Sequence, residues 1–219
     1  MLDFAAARRN MVDSQIRPAD ITDSRLLAAA LEIPRERFVP ERNAALAYLD
    51  LDVPVSEPGR PARRLLKPMV LAKLLQMAAI GDRDRVLDVG CATGYSSVLL
   101  ARLAGSVVAL EEDAALARQG QQGLAGLPNA KVVTGPLVAG WPSEAPYDVI
   151  VLEGATEIVP QALLRQLKDG GRLVCVLGRG PACKGMLYRS IDGEYSGRPV
   201  FDAAAPLLPG FAEPAAFVF

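Results

Sequence analysis

From residue 68 onward, short unbroken apolar runs alternate with longer stretches in which apolar residues recur at helical spacing. The pattern predicts strands over 85–89, 107–110, 131–134, 147–152 and 171–177, and helices over 68–79, 94–104, 113–124 and 160–168, with Pro68 well suited to a first helical position. Strands that are apolar throughout, rather than alternating, are buried on both faces. The prediction is therefore an α/β fold with a doubly wound, mostly parallel sheet. The end of the chain differs. Segments 186–191 and 194–201 flank Asp192-Gly193, a hairpin signal, so the sheet should finish with antiparallel strands, and 215–219 could add a last one. Before residue 60 the chain reads as short helices. Asp23 can cap a helix over 24–32 whose stripe is Leu26, Leu27, Ala30 and Leu31, and Pro34, Pro40, Pro54, Pro58 and Pro61 punctuate an irregular stretch after it.

Composition narrows the chemistry more than the fold. With 24 basic and 25 acidic residues the formal net charge is -1, which gives no basic surplus for a nucleic-acid partner. The N-terminal stretch lacks the pattern of a signal peptide and no uncharged run is long enough to span a bilayer, so no membrane association is expected. Cys91, Cys175 and Cys183 show no CxxC spacing, which points to reduced thiols, a cytoplasmic location and no metal. Histidine is absent. That excludes Ser-His-Asp triads, Cys-His pairs and histidine metal centres. Any reaction must therefore use a substrate or cofactor already reactive at neutral pH.

The first strand runs into Asp88-Val89-Gly90-Cys91-Ala92-Thr93-Gly94-Tyr95. An apolar strand, a turn of small residues and a helix start form a ligand cradle at the strand's carboxyl end. The next strand ends about 20 residues on in Glu111, where a carboxylate can accept both hydroxyls of a ribose. The dinucleotide fingerprint G-x-G-x-x-G is not met, since Gly90 is followed by three residues and only then by Gly94. A carboxylate at Asp88 is also ill placed beside a pyrophosphate but suits a cation. S-adenosylmethionine is the ligand this pattern predicts, in preference to NAD. The bland alternative is a plain strand–helix turn with an incidental acidic residue.

Several further segments, in this order, resemble the protein-L-isoaspartate O-methyltransferase family from about residue 10 to 178. They are Arg35-Glu36-Arg37-Phe38-Val39-Pro40, Ala47-Tyr48-Leu49-Asp50, Val53-Pro54-Val55, the turn with Glu111, Gly140-Trp141-Pro142 before Tyr147-Asp148, Ile158 to Leu164, and Gly170-Gly171-Arg172-Leu173. The resemblance implies a class I S-adenosylmethionine-dependent methyltransferase fold, with an N-terminal helical extension over 1–67 and a Rossmann-like domain over 68–219. It implies methyl transfer to the free carboxylate of isoaspartyl residues in damaged proteins, with a protein or peptide acceptor. A carboxylate with a reference pKa of about 4 is ionised at neutral pH and needs no general base, which agrees with the missing histidine. The expected cofactor-binding residues are Asp88, Gly90, Cys91, Ala92, Thr93, Gly94, Glu111, Glu112, Leu137 and Val138.

Two departures from the family pattern concern the acceptor and the adenine. The family has T-I-S-x-P-x-M-x-A where this chain has Arg64-Leu65-Leu66-Lys67-Pro68-Met69-Val70-Leu71-Ala72, so Leu66 replaces a serine of the acceptor site. Losing a hydrogen bond to a charged group costs about 1.5–3 kcal/mol. The family's G-D-G is here Gly135-Pro136-Leu137, which removes an adenine contact and leaves only the backbone of Leu137 and Val138. The acceptor region is expected near Arg64, Leu66, Lys67, Pro68 and Glu153. Within the basic run Arg60, Arg63, Arg64 and Lys67, either Arg64 or Lys67 could pair with an anionic acceptor, or the run is simply a solvated loop. Two alternatives stay open: a related methyltransferase with another acceptor, and a cofactor-binding protein that has lost turnover.

Overall fold

The computed structural model describes residues 3–59 and 62–214. Helix α1 (Phe4–Met11) starts at Asp3, whose side chain accepts from the Ala6 N–H. Helix α2 (Ser24–Glu32) is capped by Asp23, which accepts from the N–H groups of Arg25 and Leu26. Between them a 3-10 turn, Arg17–Ala19, closes on Asp20 in the left-handed region. Pro34 and Pro40 each precede a 3-10 turn, Arg35–Phe38 and Glu41–Leu46. Two short strands, β1 (Val53–Pro54) and β2 (Arg64–Leu65), then pair antiparallel.

The remaining chain alternates as the apolar pattern predicts. Helix α3 (Pro68–Met77) leads to β3 (Arg85–Val89), α4 (Tyr95–Leu103), β4 (Ser106–Glu111), α5 (Ala114–Gly123) and β5 (Ala130–Thr134). After two 3-10 turns come β6 (Tyr147–Thr156), α6 (Gln161–Leu164), β7 (Leu167–Leu177), β8 (Lys184–Ile191) and β9 (Glu194–Asp202). The seven-stranded sheet has the order β5-β4-β3-β6-β7-β8-β9, parallel from β5 to β7 and antiparallel thereafter. Winding reverses between β3 and β6, and ligands bind open α/β sheets at the carboxyl ends flanking such a reversal.

Alternate residues of the central strands feed two cores. Val86, Ala109, Val149, Val151 and Val174 face α3, α4 and the N-terminal arm, whose Met11, Val12, Leu26 and Ala30 join the same cluster. Leu87, Val89, Leu110, Ile150, Leu152 and Leu173 face the opposite side with Leu163, Leu164, Leu208 and Phe211. Arm and sheet thus share one core.

One predicted element is shorter than expected. The helix over 160–168 ends after Leu164, and the chain is back in the sheet at Leu167, which pairs with Tyr147. Leu163, Leu164 and Leu167 reach the same core by a helix followed by a strand, so their helical spacing misled. The turn is fixed by Gln166. Its carbonyl accepts from Tyr147 N, and its side chain bonds Ala139 O and Trp141 N. Conversely β6 runs beyond 152, and β7 begins before 171. The strand expected over 215–219 lies outside the described residues, as does Arg60.

After β9 an irregular strap crosses the carboxyl edge of the sheet. Ala155 N donates to Pro206 O (2.7 Å), Leu208 N to Ala155 O (2.9 Å) and Glu157 N to Phe211 O (2.9 Å).

Candidate cofactor crevice

Strand β3 ends in a turn held against β4. Gly90 (φ +83°) and Gly94 (φ +93°) take left-handed conformations that favour glycine, and Ala92 (φ +50°) lies between them. The N–H groups of Gly90 and Cys91 both donate to Leu110 O. Asp88 is fully buried. Its Oδ2 accepts from the hydroxyls of Ser96 (2.9 Å) and Ser97 (2.6 Å) on the first turn of α4, and its Oδ1 has no hydrogen-bond partner among the described residues. Burial pushes its pKa up to about 6, partly opposed by the two serine hydroxyls.

Glu111, at the end of β4, is the most fully bonded carboxylate of the crevice. Oε1 accepts from the N–H groups of Glu112 (3.0 Å) and Asp113 (3.1 Å). Oε2 accepts from Ala92 N (2.8 Å) and from Arg63 Nη2 (2.7 Å), and the same Nη2 donates to Gly90 O (2.9 Å). Arg63 is only 5% exposed and Glu111 0%.

The third carboxylate comes from β6. Its register against β7 shifts between Val151 and Ala155, a bulge of the kind that re-aims side chains beside functional sites. Glu153 sits in that bulge, buried, with no hydrogen-bond partner for Oε1 among the described residues. Burial raises its pKa well above the usual range and the nearby Asp88 adds to this, against Arg35 and Arg63.

Opposite lies Arg35, 0% exposed, donating to Ala47 O (2.8 Å) and Leu66 O (2.7 Å) with its guanidinium 4.7 Å from the centre of the Tyr95 ring. Burial lowers its pKa. A residual space of about 10 Å³ remains between Arg35, Leu66, Gly90, Tyr95 and Glu153. Beyond Arg63 a wider cavity of about 360 Å³ opens against Glu112, Asp113, Arg118 and Pro209.

The structure brings together Asp88, Gly90, Cys91, Ala92, Glu111, Glu153, Arg64 and Leu66, while Glu112 lines the outer cavity. Leu137 is buried against the turn, its Cδ1 being 3.6 Å from where a Gly90 β-carbon would lie. Other expected residues face elsewhere. The Thr93 hydroxyl donates to Phe38 O, on the side of a separate cavity of about 670 Å³. Val138 packs on Gly210, the Lys67 N–H is held by Asp52, and Pro68 opens α3 beside the arm. Within the basic run it is Arg63 whose buried side chain bonds into the turn, to Gly90 O and Glu111, while Arg64 only borders the residual space. Arg64 is exposed and bonded to Asp52 O. Strand alternation carries the signal: Arg63 shares a face with the buried Leu65, and Arg64 lies on the other. Arg35 carried no such signal, because its burial depends on carbonyls 12 and 31 residues away.

A parallel sheet that reverses beside a glycine turn, with three buried carboxyls converging there, defines an α/β domain of the Rossmann-like methyltransferase class. The chain matches the family model for protein-L-isoaspartate(D-aspartate) O-methyltransferase over residues 6–198 and belongs to that family. A protein-L-isoaspartate O-methyltransferase of Methanoculleus marisnigri is 40% identical over 173 residues, covering 78% of this chain and 77% of that protein. Among solved structures, a protein-L-isoaspartate O-methyltransferase superposes with a TM-score of 0.80 at 23% identity. That match covers 93% of this chain and 66% of the other, so the chain spans about two thirds of its length. A Plasmodium falciparum structure assigned to the same family, in complex with S-adenosyl-L-homocysteine, superposes with a TM-score of 0.77 at 17% identity over 95% of this chain and 99% of the other. These two likenesses concern the fold. The family match stops at residue 198, so the strap lies beyond it. Among the described residues no helix is long and apolar enough to cross a membrane.

Proposed function

We propose that the chain is an S-adenosylmethionine-dependent carboxyl methyltransferase acting on isoaspartyl residues of damaged proteins, in the cytoplasm. The observation that carries this reading is the convergence of Asp88, Glu111 and Glu153 on the glycine turn, in a chain that belongs to the isoaspartyl methyltransferase family. Their surplus over the two buried guanidiniums suits a cationic ligand.

The residues present fit that cofactor in charge. Asp88 Oδ1 and Glu153 Oε1 are buried and have no hydrogen-bond partner among the described residues, as carboxylates awaiting a cation would. The atoms that crowd the turn are ends of flexible side chains: a β-carbon at Gly90 would lie 3.0 Å from Leu208 Cδ2 and 3.1 Å from Arg63 Nη2. Asp88 and Glu153 would face the methionine part, Glu111 the ribose hydroxyls, and the backbone of Leu137 and Val138 the adenine. When bound, the cofactor supplies an electrophilic methyl group on a sulfonium. Leu66 and Tyr95, both buried, give the crevice apolar walls, which favours attack by a desolvated carboxylate.

A second reading rests on Leu66, which is 1% exposed and presents no donor where the family has serine. It keeps the cofactor and changes the acceptor, or abolishes turnover. Incubation with methyl-labelled cofactor and an isoaspartyl peptide separates the two. A base-labile methyl ester is expected. Cofactor binding without ester would favour the second reading, and screening cell proteins for label would then divide its two forms.

A further inference from the structure

We infer that Arg63 is an internal substitute for the bound nucleoside, and that with Leu208 it holds the crevice in a closed form that the cofactor must open. The inference rests on the proposed cofactor and concerns the same site.

Glu111 accepts four hydrogen bonds, which fill both of its oxygens. Three come from backbone N–H groups of its own and the neighbouring turn and cannot leave without unfolding that turn. The fourth, from Arg63, is the one that can be exchanged, so a ribose hydroxyl gains the carboxylate by displacing the guanidinium. The backbone of Arg63 is pinned: its N–H donates to Ser56 Oγ (2.6 Å) and its carbonyl accepts from Val55 N (2.9 Å). Displacement is therefore a swing of the side chain about a fixed strand end.

Two independent features mark the closed position as incomplete. Arg63 Nε is buried with no acceptor among the described residues. Leaving a buried donor unpaired is costly, so the guanidinium sits where only part of its hydrogen bonding is met. Next to it, the cavity of about 360 Å³ offers room for the swung-out side chain. From the other side the strap places Leu208 Cδ2 over the turn and its Cγ 2.7 Å from where a Gly154 β-carbon would lie. A crevice closed by one arginine and one leucine, both through side-chain ends, opens without rearranging the sheet.

The test is calorimetric titration of S-adenosyl-L-homocysteine into the full chain as wild type, Arg63→Ala, Arg63→Gln and Leu208→Ala, with thermal unfolding to show that each variant is folded. Arg63→Ala and Arg63→Gln should bind at least tenfold more tightly than wild type, and Leu208→Ala more tightly by a smaller factor. Binding by Arg63→Ala alone, with none detectable for wild type, gives the same answer in stronger form. If wild type binds and the arginine variants bind equally or more weakly, the plug is overturned and the cofactor reading stands. If all variants fold and none binds, both fall. Should Arg63→Ala not fold, Arg63→Gln, which keeps the length of the side chain, decides.

Discussion

Replacing Asp88 by Asn gives the sharpest stability prediction. Burial lifts this carboxyl from an ordinary value near 3.8 to about 6. A folded-state pKa above the unfolded one means that the folded chain holds the proton more tightly. The associated stability is complete below about pH 4 and is lost as pH rises through 6. A rise of about two units corresponds to roughly 3 kcal/mol, undiminished by solvent because Asp88 is fully buried. Asparagine keeps an oxygen to accept from Ser96 and Ser97 and never ionises. The stability of Asp88→Asn relative to wild type should therefore climb between pH 4 and 6.5 and then level off about 3 kcal/mol higher. In a chain of this size that is about 6–12 °C in melting temperature. No histidine titrates in this window, because the chain has none. Urea unfolding of both proteins at half-unit pH steps from 4 to 7.5 measures the difference curve. A curve flat across that range would refute the reasoning, whatever its height.

Other substitutions probe the framework of the crevice. Arg35→Ala removes a buried guanidinium from two carbonyls and the Tyr95 ring, and should cost about 3–5 kcal/mol in urea unfolding; a loss under 1 kcal/mol would mean the contacts are not made. Gly94→Ala forces a β-carbon to within 2.8 Å of Leu124 Cδ1 at a φ of +93°, and should destabilise by about 1–3 kcal/mol, read by the same assay; a neutral result would count against the turn geometry. Cys91 and Cys175 are buried, and burial raises both thiols well above their ordinary value. They should react with a disulfide reagent only on unfolding, and rapid labelling of either in the native protein would contradict the packing.

The order of elements was legible because the central strands are mostly apolar and helices begin at recognisable positions, Pro68 or Asp113 for example. Asp88, the two turn glycines and Glu111 were legible for the same reason: strand ends fix where the next polar residue must lie. The short α6 was not, because three leucines at helical spacing serve a helix and a strand equally well. Arg35 and Arg63 escaped because arginines are ordinarily solvated, and their burial is decided by partners distant in the chain. Glu153 was visible as a strand-end charge, but its inward aim comes from a bulge set by pairing with β7. The strap over 206–211 has no periodic pattern and owes its place to hydrogen bonds with Ala155 and Glu157.

The most direct examination of the crevice is a crystal structure of the chain grown with S-adenosyl-L-homocysteine. The ribose hydroxyls should lie on Glu111, with the Arg63 guanidinium withdrawn into the outer cavity beside Glu112 and Leu208 turned away from Gly90. A ligand bound elsewhere, with the Arg63–Glu111 pair intact, would contradict the account.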